Sequence, residues 1–327
     1  MNTESKSCLL IGYQRFSNLR DIIDTLLKND IKNIYISLDI PTNMNHDYQS
    51  NYSEFIVYLK KIQSKYGGRV IFRKTKRNLG CSVNILSSVD WFFQSETSGY
   101  IFEDDCIPTE NFFTFVNKNI GYLKEHENVL LISGNQFVPF DLTKGNSFVS
   151  KYALTWGWFT FDFKWNIIKK LIFSSPKEIG LSTISLRERF FWSSGHRRAK
   201  NRFTDVWDTC LVSGMLANSF NSLLPGINLV NNIGDDRFAV HTKKRSEFIN
   251  MKESNHKLSD IIQRENDLAD KWLEKNFYKI KYRHLLTTRI TWLIDKIKIL
   301  RAKNSTLENE YIGASMLYDY ISLSTSE

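Results

Sequence analysis

The sequence predicts an α/β fold, a mostly parallel sheet covered by helices, with a helical C-terminal extension. Three observations carry that expectation. Short apolar runs alternate with segments of helical period through the first half of the chain, which is the order of strand–helix–strand units. The connections between them have the length that such crossovers need. No internal repeat and no linker rich in Gly, Pro or Ser divides the 327 residues, so one main domain is favoured over two independent ones.

The elements follow in order. Cys8–Ile11 is an apolar run, and Ser17-Asn18 caps a helical pattern of Leu19, Ile22, Ile23, Leu26 and Leu27. Asn33–Leu38 (NIYISL) is strand-like. Phe55, Ile56, Leu59, Ile62 and Tyr66 form a helical stripe that Gly67-Gly68 ends. Strands at Arg69–Arg73, Gly99–Phe102 and Val129–Ser133 then alternate with helices at Ser82–Phe93 and Phe112–Leu123. Ligands of such sheets bind at the carboxyl ends of the strands. That rule directs attention to Gly12–Arg15, Asp39, Arg77–Gly80, Glu103–Cys106 and Ser133–Gln136. Further on, Tyr152–Trp165 is dense in aromatics and Phe190–Phe203 is basic and polar. Val206–Ser219 looks helical, Ser222–Gly234 contains a strand, and helical period dominates from His256 to about Lys303.

Composition narrows the class. Hydrophobic residues are 42% and charged residues 24%, which suits a soluble globular chain and excludes wholesale disorder. No apolar run reaches the roughly 18 residues of a membrane span. The start, MNTESKSCLLIGYQRF, lacks a basic leader before a long apolar stretch, so a cytoplasmic protein is expected. Cysteines 8, 81, 106 and 210 form no CxxC pair and no zinc spacing. They read as small apolar residues.

The net charge is +9. Lys271–Lys303 holds ten basic residues and two acids, Glu274 and Asp295, so this segment carries nearly all of the excess. Such a tail suits an anionic surface, membrane headgroups or nucleic acid, and equally a solvated helix face.

The sharpest chemical feature is Gly99-Tyr-Ile-Phe-Glu-Asp-Asp-Cys-Ile-Pro108. Glu103, Asp104 and Asp105 follow an apolar, hence central, strand. Three adjacent carboxylates repel one another unless a divalent cation neutralises them. A solvated acidic turn is the plainer alternative.

That strand end resembles the DxD-type signature of GT-A fold glycosyltransferases, in a Glu-Asp-Asp form. Gly12-Tyr13-Gln14-Arg15 resembles the first strand-to-helix turn of these enzymes, Ser37-Leu38-Asp39 the second strand end, and Arg77-Asn78-Leu79-Gly80 the loop before a sugar-nucleotide-contacting helix. Trp156-Gly157-Trp158, Val206-Trp207-Asp208 and the stretch Leu224–Gly234 resemble the acceptor half of N-acetylglucosaminyltransferase I-like enzymes and of bacterial surface-polysaccharide glycosyltransferases. The resemblance spans about Ser7–Thr242. It implies a GT-A domain over residues 1–250, with residues 251–327 as a basic helical extension.

The activity implied is metal-dependent, inverting transfer from a nucleotide-diphosphate sugar, probable UDP donors first, to a glycan or lipid-linked glycan. By the resemblance Asp105 is the direct ligand of Mn2+ or Mg2+, Asp104 faces the ribose, and Glu103 supports the pair. Asp39 accepts a hydrogen bond from the uracil ring. Gly12, Tyr13, Asn78 and Gly80 line the donor, while Arg15 and Arg77 neutralise diphosphate or position the base, unless they are surface arginines beside turns. His241 is a second candidate for metal or diphosphate. Asp208 is the favoured base, with Asp205 second or else the N-cap of the helix that follows. Trp156 and Trp158 stack on a sugar face or belong to the core. The basic helices, with Ile290, Trp292, Leu293, Ile294, Ile297 and Leu300, would hold the enzyme peripherally on an anionic inner membrane. No nucleic-acid partner is expected. The rival classes are a sugar-nucleotidyltransferase, which wants a more glycine-rich first loop, and a non-catalytic basic membrane- or nucleic-acid-binding protein, which leaves the acidic strand end unexplained.

Overall fold

The computed structural model describes residues 6–66, 69–174, 184–201, 204–234, 248, 257–281, 290 and 293–297. Strand β1 (Ser7–Gly12) is buried throughout. Helix α1 (Phe16–Lys28) buries Phe16, Leu19, Ile22, Ile23 and Leu26, one stripe at helical spacing. Then come β2 (Asn33–Leu38), α2 (His46–Tyr66), β3 (Arg69–Lys74), α3 (Cys81–Phe93) and β4 (Ser98–Glu103). The middle of the chain forms β5 (Cys106–Pro108), α4 (Glu110–Glu125), β6 (Val129–Ser133), α5 (Phe140–Thr143), β7 (Gly145–Ser150), β8 (Trp158–Phe161) and α6 (Asp162–Phe173). It continues as α7 (Leu186–Lys200), α8 (Trp207–Asn218), β9 (Asn221–Gly226), β10 (Val230–Asn232), β11 (Ile262–Gln263) and α9 (Asp267–Trp272), which runs into a π-helical turn at Leu273–Phe277.

Among the described residues, nine strands make one sheet in the order β11-β7-β9-β6-β8-β4-β1-β2-β3. The block β3-β2-β1-β4 is parallel, the arrangement expected from the strand–helix alternation. Strand β8 lies antiparallel between β4 and β6. A separate two-stranded ladder joins β5 to β10. Apolar side chains cover both faces of the sheet, with Leu9, Ile11 and Ile101 on one side and Leu10, Ile36 and Phe102 on the other. The central strands therefore read as continuous apolar runs.

The structure departs from expectation in three places. Helix α2 starts at His46, nine residues before Phe55, because Tyr48 and Tyr52 extend its apolar stripe. Both rings pack on Phe16, at 5.5 and 6.0 Å between centroids. The aromatic stretch 152–165 supplies β8 and the start of α6, and its crowding hid the boundary. The basic segment 190–203 is mostly helix α7, which opens with a capping box between Ser185 and Glu188.

Residues beyond 250 also complete the sheet. Strand β11 pairs in parallel with Ser147 and Phe148 of β7. Asp270 of α9 accepts the Ser150 hydroxyl at 2.5 Å and the Lys151 N–H at 3.3 Å.

Burial raises the pKa of Asp270 from its ordinary 3.8 to about 6. Between those values the folded chain keeps a proton that the unfolded chain releases. This contribution to stability is complete below about pH 4 and is lost as pH rises through about 6. Urea unfolding of wild type against Asp270→Asn should therefore show wild type losing stability relative to the variant across that window. A pH-independent difference would remove the assignment.

Candidate functional site

The carboxyl ends of β1, β2 and β4 lie side by side, and the loops leaving them interlock. Gly12 makes the first loop possible: a Cβ there would meet Leu38 Cδ2 at 2.7 Å and Leu19 Cδ1 at 2.9 Å. The next peptide, Tyr13 N–H, donates to Asp104 Oδ2 at 2.8 Å. Arg15 Nη1 donates to Asp104 Oδ1 at 2.8 Å and stands 3.5 Å from Asp105 Oδ2. Asp104 is thus buried with both oxygens engaged by the first loop. The expectation that it faces a ribose meets a carboxylate turned to structural work.

Asp105 is held differently. The β5–β10 ladder brings Ile233 N–H to the Asp105 carbonyl at 2.9 Å. Asn232 Nδ2 reaches Asp105 Oδ1 at 3.4 Å. Gly234 lets the chain curl over this carboxylate, since a Cβ there would come within 2.4 Å of Asp105 Oδ2. Burial, with Asp104 adding to it and Arg15 opposing it, raises the Asp105 pKa to about 6. Burial first, then the charges of Asp105, Asp104 and Asp208, push Glu103 well above the usual carboxylate range. Both shifts mean that burial and neighbouring carboxylates disfavour the charged form of these two acids.

Asp39 organises the second and third loops. It accepts the N–H groups of Ile40 and Leu79 at 3.0 Å and of Gly80 at 3.1 Å, and the Thr75 hydroxyl at 2.8 Å. Burial nevertheless raises its pKa, against the pull of those donors. Asn78 Nδ2 donates to the Ile40 carbonyl at 2.6 Å. Gly80, with φ of 75°, turns the chain into α3 in the left-handed region that favours glycine. Arg77 is exposed beside them. Asp39 and Asn78 shape the loop through these bonds, which is a task distinct from the uracil contact expected of Asp39.

Asp205 caps a helix, but not the one that follows it. Its carboxylate accepts Cys81 N–H at 2.7 Å and Ser82 N–H at 2.9 Å, closing the first turn of α3. The loop before α8 is thereby pinned to the end of the loop 75–80, and Asp205 is corrected from second base to long-range cap. Asp208, in the first turn of α8, accepts Thr209 N–H at 2.7 Å. Its charge acts on Glu103. The structure therefore brings Asp208, Glu103 and Asp105 into one acidic neighbourhood.

Cys81 is a residue that sequence reasoning missed. Its thiol was taken as a small apolar filler, yet it lies among Glu103, Asp205, Asp208 and Asp105. Burial and those four charges push its pKa well above the ordinary thiol value. Asn232 and Gly234 were visible only as part of a longer stretch. No local signal tied them to Asp105, because the tie is the β5–β10 pairing.

Trp158 is corrected from a sugar-stacking residue to a core residue. It is 2% exposed, sits in β8 between β4 and β6, and packs on Trp165 and Trp207 at 6.2 and 5.8 Å. Trp156 is only partly buried. Its ring lies edge-on to Phe137 at 5.1 Å, and its backbone N–H donates to Asn135 Oδ1 at 3.1 Å. His241 lies outside the described residues. Among the described residues, no group of three or more His, Cys, Asp or Glu forms a ready-made metal cage.

No family model matches the chain, and no curated protein compared with it matches. Solved structures with some likeness include residues 1–349 of TarS from S. aureus, at 10% identity and a TM-score of 0.38, covering 67% of this chain and 57% of that one. The inositol-1-phosphate CTP transferase from T. maritima follows at 10% identity and TM-score 0.27, over 47% of this chain and 56% of that one. HddC from Yersinia pseudotuberculosis shows 9% identity and TM-score 0.30, over 48% and 77%. The chain thus spans a little over half the length of the first two.

Removing the long-range cap should cost about 1 kcal/mol, the usual worth of a helix cap. Urea denaturation of Asp205→Ala should show that loss, with Asp205→Asn recovering most of it. Equal stability of all three proteins would contradict the capping role.

Proposed function

We propose that the protein is a metal-dependent, inverting glycosyltransferase of GT-A fold, moving a sugar from a nucleotide-diphosphate donor, UDP-linked first, to a glycan acceptor of bacterial surface polysaccharide or lipooligosaccharide. One observation carries the reading. Glu103 ends the central strand β4, and Asp105, two residues on, stands 3.5 Å from Arg15; burial and the neighbouring carboxylates, Asp208 among those acting on Glu103, raise the pKa of both. Parallel α/β sheets bind ligands at that end.

The residues present fit a hard divalent cation. Mg2+ is commonly held by one or two carboxylates plus substrate phosphates rather than by an all-protein cage. Asp105 and Glu103 supply such a pair, and their raised pKa values mark charge that a cation would relieve. Asp105 would be the main holder of Mn2+ or Mg2+, which when bound stabilises the charge growing on a diphosphate leaving group.

This chain's own residues account for the rest. Arg15, fixed by Asp104, brings a positive charge beside Asp105. The loop 75–80, tied down by Asp39, shapes the wall from which Arg77 and Asn78 meet the donor. Asp208 would take the proton of the acceptor hydroxyl as its oxygen bonds to the anomeric carbon. The bond from that carbon to the diphosphate breaks, and the nucleotide diphosphate leaves with the electron pair.

Two measurements test the proposal. UDP with Mn2+ should raise the melting temperature of wild type, and Asp105→Ala should abolish that rise while retaining wild-type folding. Across a panel of nucleotide sugars, Asp208→Asn should still bind donor with metal yet lower transfer by at least about 100-fold, the ordinary worth of a general base. Metal-independent protection by UDP, or full transfer by Asp208→Asn, would end this reading.

A further inference from the structure

Both acids within the basic run Lys271–Lys303 turn inward. Glu274, 5% exposed, accepts Arg187 Nε at 2.6 Å. Asp295, 4% exposed, accepts Arg198 Nη1 at 2.9 and 3.1 Å. Both arginines stand on α7, so α7 takes up the segment's negative charge. The described lysines of the segment, Lys271, Lys275, Lys279, Lys281 and Lys296, are all exposed.

Apolar side chains are exposed with them. Ile290, Leu293, Ile294 and Ile297 are 59, 54, 46 and 43% exposed. Around Asp295, residues 293–297 thus set a carboxylate against the protein and aliphatic side chains outward. A helix folded onto a protein core shows the reverse.

We propose that this segment docks on an anionic lipid bilayer, with the lysines at the headgroups and the isoleucines and leucine entering the interface. Complementary charge favours a polyanion. The exposed aliphatic groups favour lipid over nucleic acid, because burial in the acyl boundary removes them from water and a phosphate backbone does not. The two contributions together meet the need of stable peripheral binding for more than one signal. This inference goes beyond the transfer reaction and stands or falls without it.

Flotation of the full chain with phosphatidylcholine vesicles, with and without about 30% phosphatidylglycerol, tests it. The protein should float with the anionic vesicles only, and high salt should weaken the binding. Lys271→Ala with Lys275→Ala should lower the partition coefficient by about 25-fold, from roughly fivefold per basic residue. Leu293→Ser with Ile294→Ser should lower it as well, with an unchanged melting temperature. Equal flotation with neutral vesicles would overturn the proposal, as would wild-type partition by both variants. Preferential binding to duplex DNA, with no flotation, would overturn it in favour of nucleic acid.

Discussion

The grip of Tyr13 N–H and Arg15 on Asp104 is the constraint on which the site depends. Three carboxylates in a row at a strand end repel one another. The fold answers by tying the middle one down with a peptide N–H and a guanidinium, both from the loop after β1. That tie fastens two neighbouring parallel strands at their open end. It also fixes the turn on which Glu103 and Asp105 are presented, and it brings Arg15 beside Asp105.

The same economy recurs around the site, and it divides the acids into two sets. Asp39, Asp104 and Asp205 each accept backbone N–H groups and hold loops in place. Glu103, Asp105 and Asp208 act on one another through their charges, with Asp208 also accepting the N–H of its neighbour Thr209 and Asp105 the side-chain amide of Asn232. Asp205 joins the loop before α8 to the start of α3, across more than 120 residues. The positions of Glu103, Asp105 and Asp208 thus rest on loops that Asp39, Asp104 and Asp205 hold in place.

Much of this was legible in the residues. The alternation from Cys8 to Ser133 was read correctly because buried parallel strands are continuous apolar runs, while helices reveal themselves by period. The acidic turn stood out because three like charges after such a run are unusual. What the sequence could not show is which acid does which task, since that depends on partners far away in the chain. Asp205 looked like a local N-cap because it precedes a helix, but its partners are Cys81 and Ser82. Trp158 reads from the sequence as either a sugar-stacking or a core residue, and the course of β8 through the centre of the sheet decides for the core. The start of α2 was missed because Tyr48 and Tyr52 pack as apolar rings while their hydroxyls make them read as polar.

The pairing of β11 with β7 has a further consequence. An open strand edge is a template onto which another chain can add. At the far edge of the sheet, β3 guards itself with Arg69, Arg73 and Lys74. Strand β7, GNSFVS, carries no charge at all, and Ile262–Gln263 is what covers Ser147 and Phe148. Ile262–Gln263 therefore closes an uncharged strand edge to other chains, while Leu273 and Phe277 of the same segment fill the core beneath it.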